Sequence, residues 1–201
     1  MSVQTGVLVP VKSFTEAKVR LAPALDDASR AALARHMAAV VVAAAGSLPV
    51  AVVCDDEVVA DWARSVGAEV FWRPERGLNG AVADGVSRFA SRGVARVVVA
   101  HADLPLAEDL AWVAEFDGVT LVPDRRDNGT NVICVPSAAG YRFSYGPGSF
   151  RRHLAEAERL DLPVRVVREE RLGWDVDLPV DLDADLDLPT TLSGPARRPC
   201  P

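Results

Sequence analysis

The sequence predicts an α/β fold with a mainly parallel sheet, carried by a single domain. Short valine-rich apolar runs alternate with longer helical patterns, which is the order that repeated βα units produce. A chain of 201 residues has room for one sizeable core at ~150 residues per domain, and no linker divides it into two apolar halves. The first run, GVLVPV at 6–11, is a strand. Residues 26–45 are alanine-rich, place Leu33, Met37, Val40 and Val41 on one face and stop at Gly46, which specifies a helix. Strands at 49–54 and 69–72 bracket a helix at 57–66 that stops before Gly67. A helix at 79–91 stops before Gly93 and leads into a strand at 95–100. A helix at 107–115, strands at 119–122 and 131–135, a helix at 149–160 and a strand at 164–167 complete the pattern. The domain is expected to span 1–188, because 189–201 (PTTLSGPARRPCP) has no apolar periodicity and reads as a frayed tail.

Apolar residues make up 49% and charged residues 25% of the chain, a composition that folds rather than stays disordered. A net charge of −6 excludes a generally basic nucleic-acid binder, so any phosphate site has to be assembled locally. No run approaches the ~20 apolar residues that span a bilayer, and MSVQTGVLVPVK lacks a basic segment followed by a long apolar one. A soluble, cytoplasmic protein without a membrane or nucleic-acid partner is expected. Cys54, Cys134 and Cys200 show no C-x-x-C spacing and read as reduced structural thiols.

Ligands of open α/β sheets gather beyond the carboxyl ends of the strands, so the residues that follow each strand carry the chemistry. After the first strand, Lys12, Lys18 and Arg20 share one loop, and these two lysines are the only ones among 22 basic residues. The loop is either a polyphosphate site or a solvated basic surface; it contains neither a Walker A pattern nor G-x-G-x-x-G. As a loop feature, Lys12 and Lys18 are both expected to be exposed. Past the fourth apolar strand, HADLP places Asp103 at the carboxyl edge, where it can hold a hard cation or cap a following helix. His101 reads as a satisfied structural histidine. In WDVDLP, Asp175 and Asp177 at i and i+2 project to one face and, with Asp103, suggest a three-carboxylate site for Mg²⁺; a solvated acidic turn is the alternative. Asp181, Asp183, Asp185 and Asp187 read as solvated surface.

Two further segments suit an anion. In DRRDNGTN, Thr130 offers a hydroxyl. In FSYGPGSFRRH, Gly146 and Gly148 permit close backbone approach and Ser149 can cap a helix whose free N–H groups favour phosphate. A plain glycine turn with a serine cap fits the same residues. RGLNGA, containing Asn79, is a glycine-bounded turn suited to bordering a purine.

In order, VPVKSFTEAKVRLAP, RGLNGAV, HADLP, DRRDNGTNVI, FSYGPGSFRRHLAEA and WDVDLP resemble the guanylyltransferases of coenzyme F420 biosynthesis, the CofC/FbiD family, over residues 6–187. The resemblance implies a single-domain, three-layer α/β/α nucleotidyltransferase fold like that of nucleotide-diphospho-sugar transferases. It also implies GTP as donor, Mg²⁺ as cofactor and a three-carbon phosphate acid as acceptor: phosphoenolpyruvate in the bacterial branch, 2-phospho-L-lactate in the archaeal one. Carried onto this chain, it assigns Lys12, Lys18 and Arg20 to the nucleotide phosphates and Asn79 to the nucleoside pocket. Thr130, Gly146 and Ser149 fall to phosphoenolpyruvate, and Asp103, Asp175 and Asp177 to the metal, with Asp103 and the basic loop carrying catalysis. His101 stands where many relatives have proline, which points to the bacterial branch. A sugar-phosphate or molybdopterin-type nucleotidyltransferase and a non-catalytic nucleotide-binding module on the same fold are the competing readings.

Overall fold

The computed structural model describes residues 4–183. Seven strands form one sheet in the order β3-β2-β1-β4-β6-β5-β7, where β1 is Thr5–Pro10, β2 Val50–Cys54, β3 Glu69–Trp72, β4 Arg96–Ala100, β5 Val119–Pro123, β6 Thr130–Pro136 and β7 Val164–Val166. The first four strands are parallel to one another. β6 runs antiparallel to both β4 and β5, so the sheet is mixed at this one strand.

Strand alternation sorts the core into two faces. Val7 and Val9 face α1 (Asp27–Ala43) and α2 (Glu57–Ser65) with Ala38, Val41 and Trp62. Leu8 faces α3 (Gly77–Ala90) and α4 (Ser149–Arg159) with Val86, Phe89 and Phe150. These are the three layers expected. Asp26 caps α1 by accepting the Ser29 N–H at 2.7 Å. Gly85 brings α3 onto β1, since a Cβ there would lie 2.6 Å from a Leu8 methyl.

One expected helix is absent. Residues 107–115 hold only a 3-10 turn, Ala111–Ala114. Leu104, Ala107, Leu110 and Val113 are all buried at a spacing of three, a period that imitates a helical face, while the Leu110 N–H is drawn off to the Ala44 carbonyl and the Asp109 carboxylate takes the Ala111 N–H. A short α5, Glu170–Gly173, follows β7, where the sequence pattern specifies no element. Cys54 and Cys134 are free and buried. Cys200, Asp185, Asp187 and the tail expected at 189–201 lie outside the described residues. Among those residues no helix is long and apolar enough to cross a membrane.

This topology fixes where a ligand sits. The chain leaves β1 toward β2 on one side and returns to β4 on the other, which opens a crevice beyond the carboxyl ends of β1, β2 and β4. Because β6 is antiparallel, its first residue, Thr130, starts beside the end of β4.

Candidate active site

Lys18 is the centre of the site. It takes a left-handed backbone, φ 56°, at the head of a 3-10 turn, Val19–Leu21, an unfavourable conformation for a residue with a Cβ. That backbone turns the side chain inward, where Nζ donates to Asp103 Oδ2 at 2.6 Å and Asp177 Oδ1 at 2.9 Å. Burial pulls the ammonium pKa down, but Asp103 and Asp177 outweigh it and hold the value above that of an ordinary lysine. Asp103 answers in kind: burial pushes its carboxyl up, and Lys18 and His101 bring it below the usual range. The Lys18 side chain is only 10% exposed, so the expectation of two exposed loop lysines is wrong for this one. Lys12 does sit at the surface, paired with Glu16 at 3.2 Å, and Arg20 lies exposed 3.6 Å from Asp177 Oδ2.

The segment with Asp175 and Asp177 runs against β4's exit, the Val176 N–H donating to the Asp103 carbonyl at 3.3 Å. No helix follows Asp103, so it caps nothing. The three-carboxylate group expected from the sequence is not assembled, and among the described residues no three His, Cys, Asp or Glu side chains form a metal-holding group. The Lys18 ammonium stands between Asp103 and Asp177 instead. What remains is a pair: Asp103 Oδ1 and Asp175 Oδ1 are buried and have no partner. Burial, then repulsion from Asp103 and Asp177, pushes the Asp175 carboxyl up to about 6. Two desolvated carboxylate oxygens without donors suit a hard cation such as Mg²⁺.

Asp181 corrects the reading of the later aspartates as solvated surface. It is fully buried, pairs with Arg125 and with Arg126 at 3.1 Å, and accepts the N–H groups of Asp177 and Leu178 at 2.8 and 2.7 Å. It therefore holds the Asp175–Asp177 segment from behind. Arg125 also lies over the Trp174 ring at 4.0 Å and donates to the Asp175 carbonyl at 3.2 Å.

The two expected anion segments are more self-satisfied than their sequences suggest. The Asp124 carboxylate takes the N–H groups of Arg126, Asn128 and Gly129. At α4 the cap residue is Gly148, not Ser149, and glycine has no side chain with which to cap. The end of the helix is closed from the other segment: Asn128 accepts the Gly148 N–H through Oδ1 at 3.0 Å and the Phe150 N–H through its carbonyl at 3.2 Å, while the Ser149 N–H goes to the Gly146 carbonyl. Arg152 gathers the carbonyls of Ser144, Tyr145, Gly146 and Pro147, which fixes the loop on its outer side. Gly146 adopts φ 112° and Gly148 φ 75°, values open to glycine. Thr130 and Ser149 are both buried beside this loop.

A cleft of about 410 Å³ opens next to Lys18, with Phe14, Asp55, Leu78, His101 and Asp103 among its walls. Asn79 is not in its lining; its Oδ1 accepts the Tyr145 N–H at 2.6 Å and ties α3 to the loop before α4.

The model of the family described as "Guanylyl transferase CofC like" matches residues 5–186. The chain belongs to this family. A phosphoenolpyruvate guanylyltransferase of Rubrobacter xylanophilus is 38% identical over 184 residues, covering 87% of this chain and 90% of that one. A 2-phospho-L-lactate guanylyltransferase of Methanothermobacter thermautotrophicus is 32% identical, covering 89% and 82%. Among solved structures, a putative nucleotide-diphospho-sugar transferase from Desulfovibrio desulfuricans shares the fold with a TM-score of 0.68 at 18% identity, over 89% of this chain and 84% of that one. As a CofC-like guanylyl transferase the chain is a nucleotidyltransferase, and its Lys18–Asp103–Asp177 cluster sits beyond the strand ends of that fold. The sequence reading missed Asn128, Arg152, His153 and Asp181. Asp181 was masked by the three aspartates that follow it at alternate positions, Asn128 and His153 reach partners 20 and 23 residues away, and Arg152 folds back on the loop before its own helix, none of which a local pattern displays.

Proposed function

We propose that this chain transfers the guanylyl group of GTP to phosphoenolpyruvate with release of pyrophosphate, a step of coenzyme F420 biosynthesis. The reading rests on one arrangement above all: a buried lysine held between carboxylates in the wall of a cleft, with two further carboxylate oxygens left unpartnered. Family membership and the relatives named for this activity support it.

A phosphate oxygen of the acceptor attacks the α-phosphorus of GTP; the new P–O bond forms as the bond to the β-phosphate oxygen breaks and pyrophosphate leaves with the electron pair. The nucleophile is already anionic, so positioning and charge neutralisation supply the catalysis and no general base is required. Lys12, Lys18 and Arg20 take the nucleotide phosphates, Lys18 exchanging its carboxylate partners for phosphate oxygens. The cleft takes the nucleoside, with Asn79 holding the far wall in place. Thr130, the Gly146 backbone and Ser149 take the acceptor. Asp103 and Asp175, through their unpartnered oxygens, together with Asp177 would hold Mg²⁺. Bound there, the ion neutralises phosphate charge.

Incubation with GTP and Mg²⁺ and either phosphoenolpyruvate or 2-phospho-L-lactate, with pyrophosphate measured, is the test. Release with phosphoenolpyruvate is expected. A strong preference for 2-phospho-L-lactate, the acceptor in the name of the Methanothermobacter relative, reverses the acceptor assignment, and release with neither removes the activity.

A further inference from the structure

We propose that His153 is a positioning residue that turns the Thr130 hydroxyl proton toward the acceptor. The proposal rests on the acceptor site given above and adds to it the group that decides which way Thr130 points.

The argument is one of donors and acceptors. His153 is fully buried in α4, and its Nε2 receives the Ser144 backbone N–H at 3.0 Å. A backbone N–H only donates, so Nε2 has to present its lone pair. A neutral imidazole with Nε2 unprotonated carries its proton on Nδ1. Nδ1 lies 3.0 Å from Thr130 Oγ1, which makes His153 the donor and Thr130 the acceptor of that bond. The Thr130 hydroxyl then keeps its own proton free for a second partner, and among the described residues Oγ1 has no hydrogen-bond partner besides His153.

The protonation state is secured by surroundings. Burial, then the nearby Arg152 guanidinium, pushes the His153 pKa down to about 4, which keeps the ring neutral at working pH. The ring is held edge-on to Tyr145 at 4.9 Å between centroids and to Phe143 at 6.3 Å. Tyr141 Oη donates to the His153 carbonyl.

The free proton has somewhere to go. Thr130 begins β6 beside β4's exit, where the His101 N–H donates to the Asn131 carbonyl at 2.9 Å. The Tyr145 ring packs on the His101 ring as well, at 4.9 Å. Of these two rings, the buried His101 Nε2 and Tyr145 Oη have no hydrogen-bond partner among the described residues. An anionic acceptor brings only oxygen lone pairs to such a place. A Thr130 that pointed its proton at His153 would show lone pairs to that anion and repel it; with Nδ1 protonated, it offers a charge-assisted hydrogen bond instead.

Two measurements test this, one without substrate. In protein labelled with ¹⁵N-histidine, long-range ¹H–¹⁵N correlation at pH 7.5 is expected to show His153 protonated at Nδ1; protonation at Nε2 overturns the proposal. In steady-state kinetics, His153→Leu is expected to raise the KM for phosphoenolpyruvate ~10-fold or more, the scale of one hydrogen bond to a charged group, with the KM for GTP within about twofold. His153→Asn, which keeps an N–H donor near the Nδ1 position, is expected to recover much of that loss, and Thr130→Ser to behave as wild type. In a Thr130→Val background, His153→Leu is expected to add nothing. Independent, multiplying effects, or a Thr130→Val variant with unaltered KM for phosphoenolpyruvate, overturn the proposal while wild-type pyrophosphate release leaves the proposed function standing. A wild-type enzyme that does not use phosphoenolpyruvate shows that the proposed function itself has failed, and the positioning role falls with it.

Discussion

Lys12 and Lys18 share a loop and have opposite environments, so the same substitution separates them. Lys12→Ala removes an exposed pair with Glu16 and is expected to leave Tm unchanged, as exposed ion pairs contribute little. Lys18→Ala leaves Asp103 buried without its cation and is expected to cost ~3 kcal/mol, the scale for breaking a buried pair from one side. Thermal melts check both, and equal Tm values for the two variants contradict the buried cluster. Asp175 gives the opposite sign. Its carboxyl titrates at about 6 when folded against an ordinary 3.8, so the folded state holds a proton that the unfolded chain has lost. The stability this group contributes is complete below its unfolded pKa and disappears as pH rises through about 6. In EDTA at pH 7.5, Asp175→Asn is therefore expected to stabilise the protein by ~1–3 kcal/mol, at about 2–4 °C in Tm per kcal/mol, with the difference shrinking toward pH 4. The same variant is expected to lower turnover ~100-fold or more, the scale of a lost charge-stabilising group. A Tm at or below wild type at pH 7.5 removes the repulsion argument.

Element by element, α4 shows why some of the site was legible and some was not. Its apolar face and its position after a glycine-rich loop are local features, and the helix lies at Ser149–Arg159 as its pattern dictates. What closes its N-terminus is Asn128, on the turn before β6, a contact that spans 20 residues and leaves no trace in the sequence of either segment. The serine at the helix start was a plausible cap, but the backbone reaches its left-handed turn one residue earlier, at Gly148. The missed turn at 111–114 has a similar origin: burial at every third residue is common to helices and to tight turns, and the distant Ala44 carbonyl, with the Asp109 carboxylate, separates them. Conversely, the acidic and basic residues beyond β1 and β4 were readable because the order of strands alone puts them at the carboxyl edge of the sheet, although the inward turn of Lys18 depends on its left-handed backbone. Asn128→Ala removes the Oδ1 acceptor of the Gly148 N–H and is expected to cost ~1 kcal/mol, the usual scale of a lost helix cap. It is also expected to raise the KM for phosphoenolpyruvate more than that for GTP. An unchanged Tm shows that the end of α4 is not closed from this turn.

At the scale of the whole molecule, the single antiparallel strand divides the labour of the site. The parallel half, β3-β2-β1-β4, supplies the loop with Lys18, the end of β2 and the start of α3, which enclose the cleft. The half beyond β4 supplies Thr130 from β6 and the Arg152-braced loop before α4. Asp103, at the end of β4, lies on the seam and is tied to both: to Lys18 by its carboxylate and to Val176 by its carbonyl. A net charge of −6 gives no general attraction for two polyanionic substrates, so each has to be held by its own local groups. The two substrates are therefore expected to order different halves. In hydrogen–deuterium exchange, GTP with Mg²⁺ alone should slow exchange in 11–18 and 73–81, where the backbone borders the cleft. Phosphoenolpyruvate alone should slow exchange in 128–132 and 144–152 and leave the β1 loop unchanged. With phosphoenolpyruvate and a GTP analogue whose α–β bridging oxygen is replaced by methylene present together, so that no turnover occurs, the protections should add, because each substrate is held by the groups of its own half. Protection of the β1 loop by phosphoenolpyruvate alone would place the acceptor among Lys12, Lys18 and Arg20 and merge the two halves into one anion site.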